Sequence, residues 1–306
     1  MQALASFVMR GMPQAVMMTL LLAALSLLFP PASIFSSAVV GLVALRRGTV
    51  SGGTALGTAV VASGLLAGVA LGSVNLAVGF LLLMWLPVWL LALLLRSSRS
   101  LSMTVIGALA LGVVMLAGQF LHSADPVAEW ETLLGPFVQS LVEAQLLEGD
   151  QQARLVSLMA GWMPGIVAAG FFLQTLAAVF LARWWQALLY NPGGFRTEFH
   201  QLRLPRLLAV LLLLLVLLMV MQAGSGVTVL EYLLVLLVCA WFVHGLALVH
   251  GVVGKLGSSG GWLVAVYLLL LFALPHMSIV LATAGVADAW FDFRARLRPR
   301  GSGRMG

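Results

Sequence analysis

Long apolar runs without charge, separated by short polar segments, dominate the chain and predict helices that cross a membrane. A span needs about 20 mostly apolar residues. Eight runs approach that length, at 13–29, 31–45, 52–73, 76–95, 101–121, 156–182, 207–223 and 227–250. The second is short and starts sharply at Pro30-Pro31. An uncharged stretch from Leu256 to Ala287 follows, broken at Pro275-His276. The first run is longer than the apolar core of a signal peptide, about 7–15 residues, and further spans follow it directly, so it is read as retained.

Composition agrees with this pattern. The chain of 306 residues is 62% hydrophobic and 8% charged, with a mean hydropathy of +1.09, against roughly a quarter charged in soluble domains. A single cysteine, Cys239, excludes an intramolecular disulfide framework and a cysteine-built metal centre.

The net charge of +6 acquires meaning only from its placement. Short loops rich in Arg and Lys stay cytoplasmic. With the N-terminus inside, that side collects Arg10, Arg46, Arg47, Arg96, Arg99, Arg183, Arg196, Arg203, Arg206 and Lys255, whereas the opposite side holds Arg154. Asp125, Glu129, Glu131, Glu143, Glu148 and Asp150 share one loop on that opposite side. A ninth full span would export Arg294, Arg296, Arg298, Arg300 and Arg304. The segment from Trp262 to Trp290 is therefore expected to form a Pro-broken hairpin, buried in the bundle so that its irregular backbone is covered, with both termini cytoplasmic.

In the periplasmic loop, Asp125-Pro126 is an N-cap followed by proline at the first helical position. Beyond it Trp130, Leu133, Leu134, Phe137, Val138, Leu141 and Leu146 recur at helical steps. An amphipathic helix is expected, either lying on the membrane or forming a lid over a cavity. Its carboxylates lack a second polar cluster and are read as a solvated face. The cytoplasmic loop 183–206 mixes four arginines with Trp184, Trp185, Tyr190, Phe195 and Phe199, which suits the headgroup zone. Asn191-Pro192-Gly193-Gly194 marks a turn. A membrane anchor and a docking surface for a partner remain open for this loop; nucleic acid is not expected so close to lipid.

Within the spans, Gly53, Gly57, Gly64, Gly68 and Gly72 form a repeated Gly-x-x-x-Gly stripe that would admit a neighbouring helix, and Gly161 and Gly165 repeat it. Polar residues in hydrocarbon are each candidates for function. They are Asn75, Gln119, Gln174, Glu231, His244 and His250. Glu231 and His244 lie about 19 Å apart along one helix at 1.5 Å per residue, too far for a catalytic pair. No metal-ligand spacing and no phosphate-binding GxxxxGK[ST] loop occurs, so no catalytic residue, cofactor or metal is assigned.

Two segments carry a family resemblance: Asn191-Pro-Gly-Gly-Phe195 with Glu198-Phe199 and Leu202-Arg-Leu-Pro205, and Gly285-Val-Ala-Asp288-Ala-Trp290-Phe-Asp292-Phe-Arg294. With the hydropathy layout, they resemble the YybS-like bacterial integral membrane proteins. More loosely, Pro30-Pro31, Arg46-Arg47-Gly48 and the Gly-rich third span resemble the substrate-binding membrane subunits of energy-coupling-factor transporters, which have no ATPase of their own. The Ala-x-x-x-Ala pattern of those subunits is absent from 13–29. Asp288 and Asp292, four residues apart, share a helix face and are expected to latch onto arginines of 183–206.

The expected protein is an all-α polytopic bundle of the bacterial inner membrane, with eight spans and a broken hairpin. Residues 1–121 form a five-span domain, 122–155 the periplasmic loop, 156–290 a second membrane domain, and 291–306 a basic tail. Two functions compete. One is a transporter-like or small-molecule-binding component that relies on a partner ATPase; the other is a scaffold that recruits a cytoplasmic or membrane partner.

Overall fold

The computed structural model describes residues 1–146, 148, 151–221, 227–257 and 259–297. Among them every regular element is helical: α1 (Gln2–Arg10), α2 (Met12–Ser26), α3 (Ala32–Arg47), α4 (Thr49–Leu71), α5 (Asn75–Phe80), a π-helical turn (Leu81–Trp85), α6 (Leu86–Ser98), α7 (Leu101–His122), α8 (Pro126–Glu143), α9 (Gln152–Tyr190), α10 (Gly194–His200), α11 (Arg206–Met221), α12 (Val229–Leu256), α13 (Gly261–Phe272), α14 (Leu274–Phe291) and α15 (Phe293–Arg296). Five segments are long and apolar enough to cross a membrane: α4, α5 through α6, α7, α9 and α12. Helices α2, α11 and α13 are apolar but shorter. Each of the eight apolar runs thus lies on a helix, although fewer than eight have the length of a full span.

The core is built around α3 and α9. Helix α3 is buried from Ser36 through Leu45, and α9 presses Phe172, Leu176, Val179 and Trp185 into the same cluster. Trp85 bridges three segments. Its indole Nε1 donates to Ser36 Oγ at 3.0 Å, and that hydroxyl donates to Thr19 O at 2.8 Å, so α2, α3 and the π-helical turn share one buried polar chain. The turn itself follows from Pro87, which has no N–H to continue the ladder; the Leu86 N–H reaches five residues back to Leu81 O.

Helices α11 and α13 bury almost nothing. Ala209 alone is buried on α11 and Leu270 alone on α13, while Leu213, Leu217, Leu268 and Phe272 are exposed. A helix that is apolar all round has no aqueous face, and these outward side chains form a surface suited to lipid.

Three boundaries differ from the sequence reading. Helix α9 is 39 residues long, about 58 Å, and runs through Arg183-Trp184-Trp185 to Tyr190. Charge ends an apolar run but does not end a helix, and no Gly or Pro occurs between Arg183 and Asn191. Helix α1 was not anticipated; Ala5 and Val8 bury its narrow apolar face. Helix α12 likewise continues past 250 to Leu256. The Pro-broken stretch forms α13 and α14, joined at Ala273 with Pro275 in the first turn of α14. It is not buried in the bundle as expected: Leu271, Phe272 and Leu274 around the break are exposed, and a buried face appears only on α14, at Leu281, Ala282, Gly285 and Asp288. Asp150, Arg298, Arg300, Arg304 and residues 222–223 lie outside the described residues.

The glycine stripe of α4 packs less closely than its spacing implies. A Cβ at Gly53 would meet Trp89 at 3.6 Å, and Gly64 and Gly68 have single neighbours at 3.9 Å. Nothing lies within 4 Å of Gly57 or Gly72, and Gly72 serves to end the helix in a left-handed conformation. Of the other pair, Gly165 packs against Tyr232 at 2.8 Å, whereas Gly161 faces open space.

Candidate functional site

The closest helix crossing joins α12 to α14. A Cβ on Gly285 would come within 2.7 Å of Trp241 O, and one on Gly245 would collide with Leu281 O. Two bare backbones therefore touch here, and the residues beside them, His244 and Asp288, are brought together and buried.

His244 Nε2 lies 3.1 Å from Asp288 Oδ2, and Trp241 stacks on the imidazole at 5.3 Å. The Leu204 N–H faces Nδ1 at 3.4 Å, and Nε2 lies 3.1 Å from both Asp288 Oδ2 and a terminal nitrogen of Arg294. After α14 the chain turns at Asp292, in a left-handed conformation, and this reversal sends Arg294 back into the cluster. Its guanidinium donates to Asp288 Oδ2 at 2.7 Å and to His200 O at 2.7 Å; the Phe293 N–H donates to Asp288 Oδ1 at 2.9 Å. One carboxylate, one guanidinium and a neutral imidazole sum to no net charge. That balance makes burial tolerable.

The two motif segments meet at this point. Asn191-Pro192-Gly193-Gly194 forms a type II turn, with Gly193 at φ 84° and the Gly194 N–H donating to Asn191 O at 2.9 Å. Helix α10 follows and lies on α12 because Gly251 and Gly254 leave room; a Cβ at either would approach His200 within 2.8 Å. Glu198 accepts both an Nε and a terminal N–H of Arg183, tying α10 back to α9. Phe195 and Phe199 pack on Phe180 at 5.8 Å each. Leu202 and Leu204 are buried, and Arg203 forms a forked pair with Asp292 at 2.7 and 2.6 Å. Trp290 remains exposed. Of the expected latch, the Asp292 half is present, but Asp288 pairs with Arg294 and His244 instead of a 183–206 arginine.

Basic side chains at this end share a second task. Arg47 bonds Met9 O, Arg96 bonds Leu45 O, Arg206 bonds Ala289 O, Arg294 bonds His200 O and Lys255 bonds Arg294 O, at 2.6–2.7 Å. Each acceptor lies in the last turn of its helix, where carbonyls lack intrahelical partners and the helix dipole is negative. These contacts, with Arg46 over the Tyr190 ring at 4.1 Å, gather the bases at one end of the bundle.

The other end carries α8. Asp125 caps it by accepting from Val127 N and Ala128 N, each at 3.1 Å. The helix packs on α9 and overhangs a cleft of about 830 Å³ whose walls include Leu83, Leu86, Val114, Gly118, Val167 and Phe171. Gln119, His122, Glu129 and Trp130 also line it, near α8.

The single-residue candidates therefore do not converge. Gln119 lines this cleft while donating to Pro164 O at 3.1 Å, and Gln174 lines a separate groove beside Pro30 and Pro31. Asn75 is exposed at the start of α5. Glu231 closes a capping box with Thr228 and so has a structural partner. His244 belongs to the buried cluster, and His250 bonds Leu246 O at 2.9 Å and Tyr267 at 3.2 Å. Sequence reasoning missed His200, Gly245, Gly251 and Gly254; the Gly251-x-x-Gly254-Lys255 spacing was the available signal. Among the described residues no group of three His, Cys, Asp or Glu side chains could hold a metal. No protein-family model, curated protein or solved structure matches the chain.

Proposed function

We propose that the chain is a multi-pass protein of a bacterial inner membrane that binds a small, largely apolar molecule. It would act as a transporter-like or substrate-binding component that depends on a partner ATPase, and no catalytic step is assigned to it. The observation that carries this reading is the cleft between α5, the π-helical turn, α6, α7, α8 and α9. Its volume is typical of small-molecule sites, its walls are mostly apolar, and its few polar groups gather where the amphipathic α8 overhangs. A π-helical turn in a cleft wall is a frequent companion of binding sites. Placing the basic end in the cytoplasm follows the charge rule, and α8 would then lie on the periplasmic side.

Gly118 supplies the test. It lines the cleft and has open space around its Cβ position, so Gly118→Trp should fill the site without unfolding the chain. Mass spectrometry of protein purified in mild detergent should find an apolar small molecule on the unaltered chain and lose it from Gly118→Trp. Equal occupancy of both would refute the cleft as the site.

The scaffold reading is favoured by Trp290, Phe291 and Phe293, which stand exposed beside the basic end. A stable partner that co-purifies without any ligand, and is lost from Trp290→Ala, would favour it instead.

A further inference from the structure

A basic pocket of about 760 Å³ lies between α10, α12 and α15. Its charged lining consists of Arg196, Arg203, Lys255 and Arg294, with His200 among them. The carboxylates in reach, Asp288 and Asp292, are each already paired with a guanidinium, Arg294 and Arg203 respectively. Arg196 and Lys255 are left as uncompensated charge, since neither forms an ion pair among the described residues. Arg294 is about nine-tenths buried, and its Nε has no partner among the described residues. Burial, together with the charges of Arg196, His250 and Arg294, lowers the His200 pKa below its usual value, as an electropositive pocket requires.

A second cavity, of about 520 Å³, adjoins the first. The two share Gly193, Arg196 and His200. Its remaining walls are apolar and aromatic and include Phe180, Trp184, Phe195, Phe199 and Tyr267. Side by side, the cavities match an amphiphile with an anionic head and an apolar tail. A soluble anion would use only the first of them, and a neutral lipid only the second.

We infer that the paired cavities bind an anionic phospholipid, its phosphate held by Arg196 and Lys255 and its acyl chain lying among Trp184, Phe195 and Phe199. Basic pockets between helices near a membrane surface suit such headgroups. A zwitterionic lipid brings its own cation into a pocket that already has an excess of positive charge, so it is disfavoured. The site is separate from the cleft under α8, and its fate is independent of whether that cleft binds a ligand.

Native mass spectrometry of the full chain released from mixed phosphatidylglycerol and phosphatidylcholine nanodiscs tests this. The unaltered protein should retain phosphatidylglycerol preferentially. Arg196→Gln should lower that preference about fivefold, and Arg196→Gln with Lys255→Gln by about fivefold again, the worth of one basic residue near an anionic surface. Melting temperature in phosphatidylcholine alone should stay level in Arg196→Gln, because the Arg196 side chain is exposed. Absence of a preference, or a preference unchanged in the double variant, overturns the inference. Millimolar glycerol 3-phosphate should fail to displace the lipid. If it competes as well as a short-chain phosphatidylglycerol, the pocket recognises a soluble phosphate and the assignment to lipid falls.

Discussion

Asp292 accepts hydrogen bonds from both terminal nitrogens of Arg203, across 89 residues of sequence, and both side chains stay more than a third exposed. Four residues earlier, Asp288 is fully buried and meets Arg294 and His244. Similar chemistry in different surroundings predicts different consequences. Asp292→Asn should change the melting temperature little, because exposed pairs contribute about 0–1 kcal/mol. Asp288→Asn leaves a buried guanidinium uncompensated, which costs about 3–5 kcal/mol, and should lower the melting temperature by far more than Asp292→Asn does. Thermal unfolding of both variants in one detergent gives the comparison, and equal shifts would contradict it.

The α12–α14 crossing allows a sharper mutational test. Gly245→Ala would drive a methyl group into the Leu281 carbonyl, and backbone cannot rotate aside as a side chain can. Overpacking costs about 1–3 kcal/mol, and more is expected here. Gly57→Ala meets nothing within 4 Å and should be neutral or stabilising by up to about 1 kcal/mol, through the better helix propensity of alanine. Melting temperatures that rank these two variants in the reverse order would show that the crossing is misplaced.

The hydrogen bonds from Arg203 hold the Asp292 carboxyl below its ordinary value of 3.8. A lowered carboxyl pKa adds stability that is fully present above the unfolded value and disappears as pH falls through the folded one. The fastening of α15 should therefore persist from neutral pH down to about 4 and loosen below it. Exposure and salt keep the effect small. Amide exchange at residues 293–296, followed from pH 6 to pH 3, should accelerate only in the acidic range once intrinsic exchange is corrected. In Asp292→Asn that added step should vanish.

Threading can be read by labelling. With Cys239 replaced, Leu133→Cys on α8 should react with an impermeant maleimide on intact spheroplasts. Arg196→Cys and Arg296→Cys should react only after lysis. Labelling of Arg296→Cys from outside would place the end of α14 on the wrong side and remove the hairpin topology.

Local rules carried the reading of helices a long way. Apolar runs located the large helices, Asp125-Pro126 marked the start of α8, Pro275 marked the break before α14, and Asn191-Pro192-Gly193-Gly194 marked a turn. Each depends on neighbours along the chain. The buried cluster does not: His244 and Asp288 are 44 residues apart, and His244 and Arg294 are 50 apart, so only the α12–α14 crossing brings them together. Nor does a Gly-x-x-x-Gly spacing report whether a partner helix is present. The α4 stripe has the pattern and loose surroundings, whereas Gly245 and Gly285 have no such pattern and the tightest contact. Glu231 shows the converse error, because a carboxylate taken for a polar intrusion is the closing member of a local capping box.

Basic side chains closing the last turns of α1, α3, α10, α14 and α15 couple helix direction to folding. A helix threaded in reverse would present its amide end, not its carbonyl end, to those arginines and to Lys255, and the bonds could not form. An inverted segment would thus be left with open carbonyls at one end of the bundle and stranded cations at the other. The same basic side chains that cluster at one end of the bundle thus select, for every helix they close, the direction in which it runs.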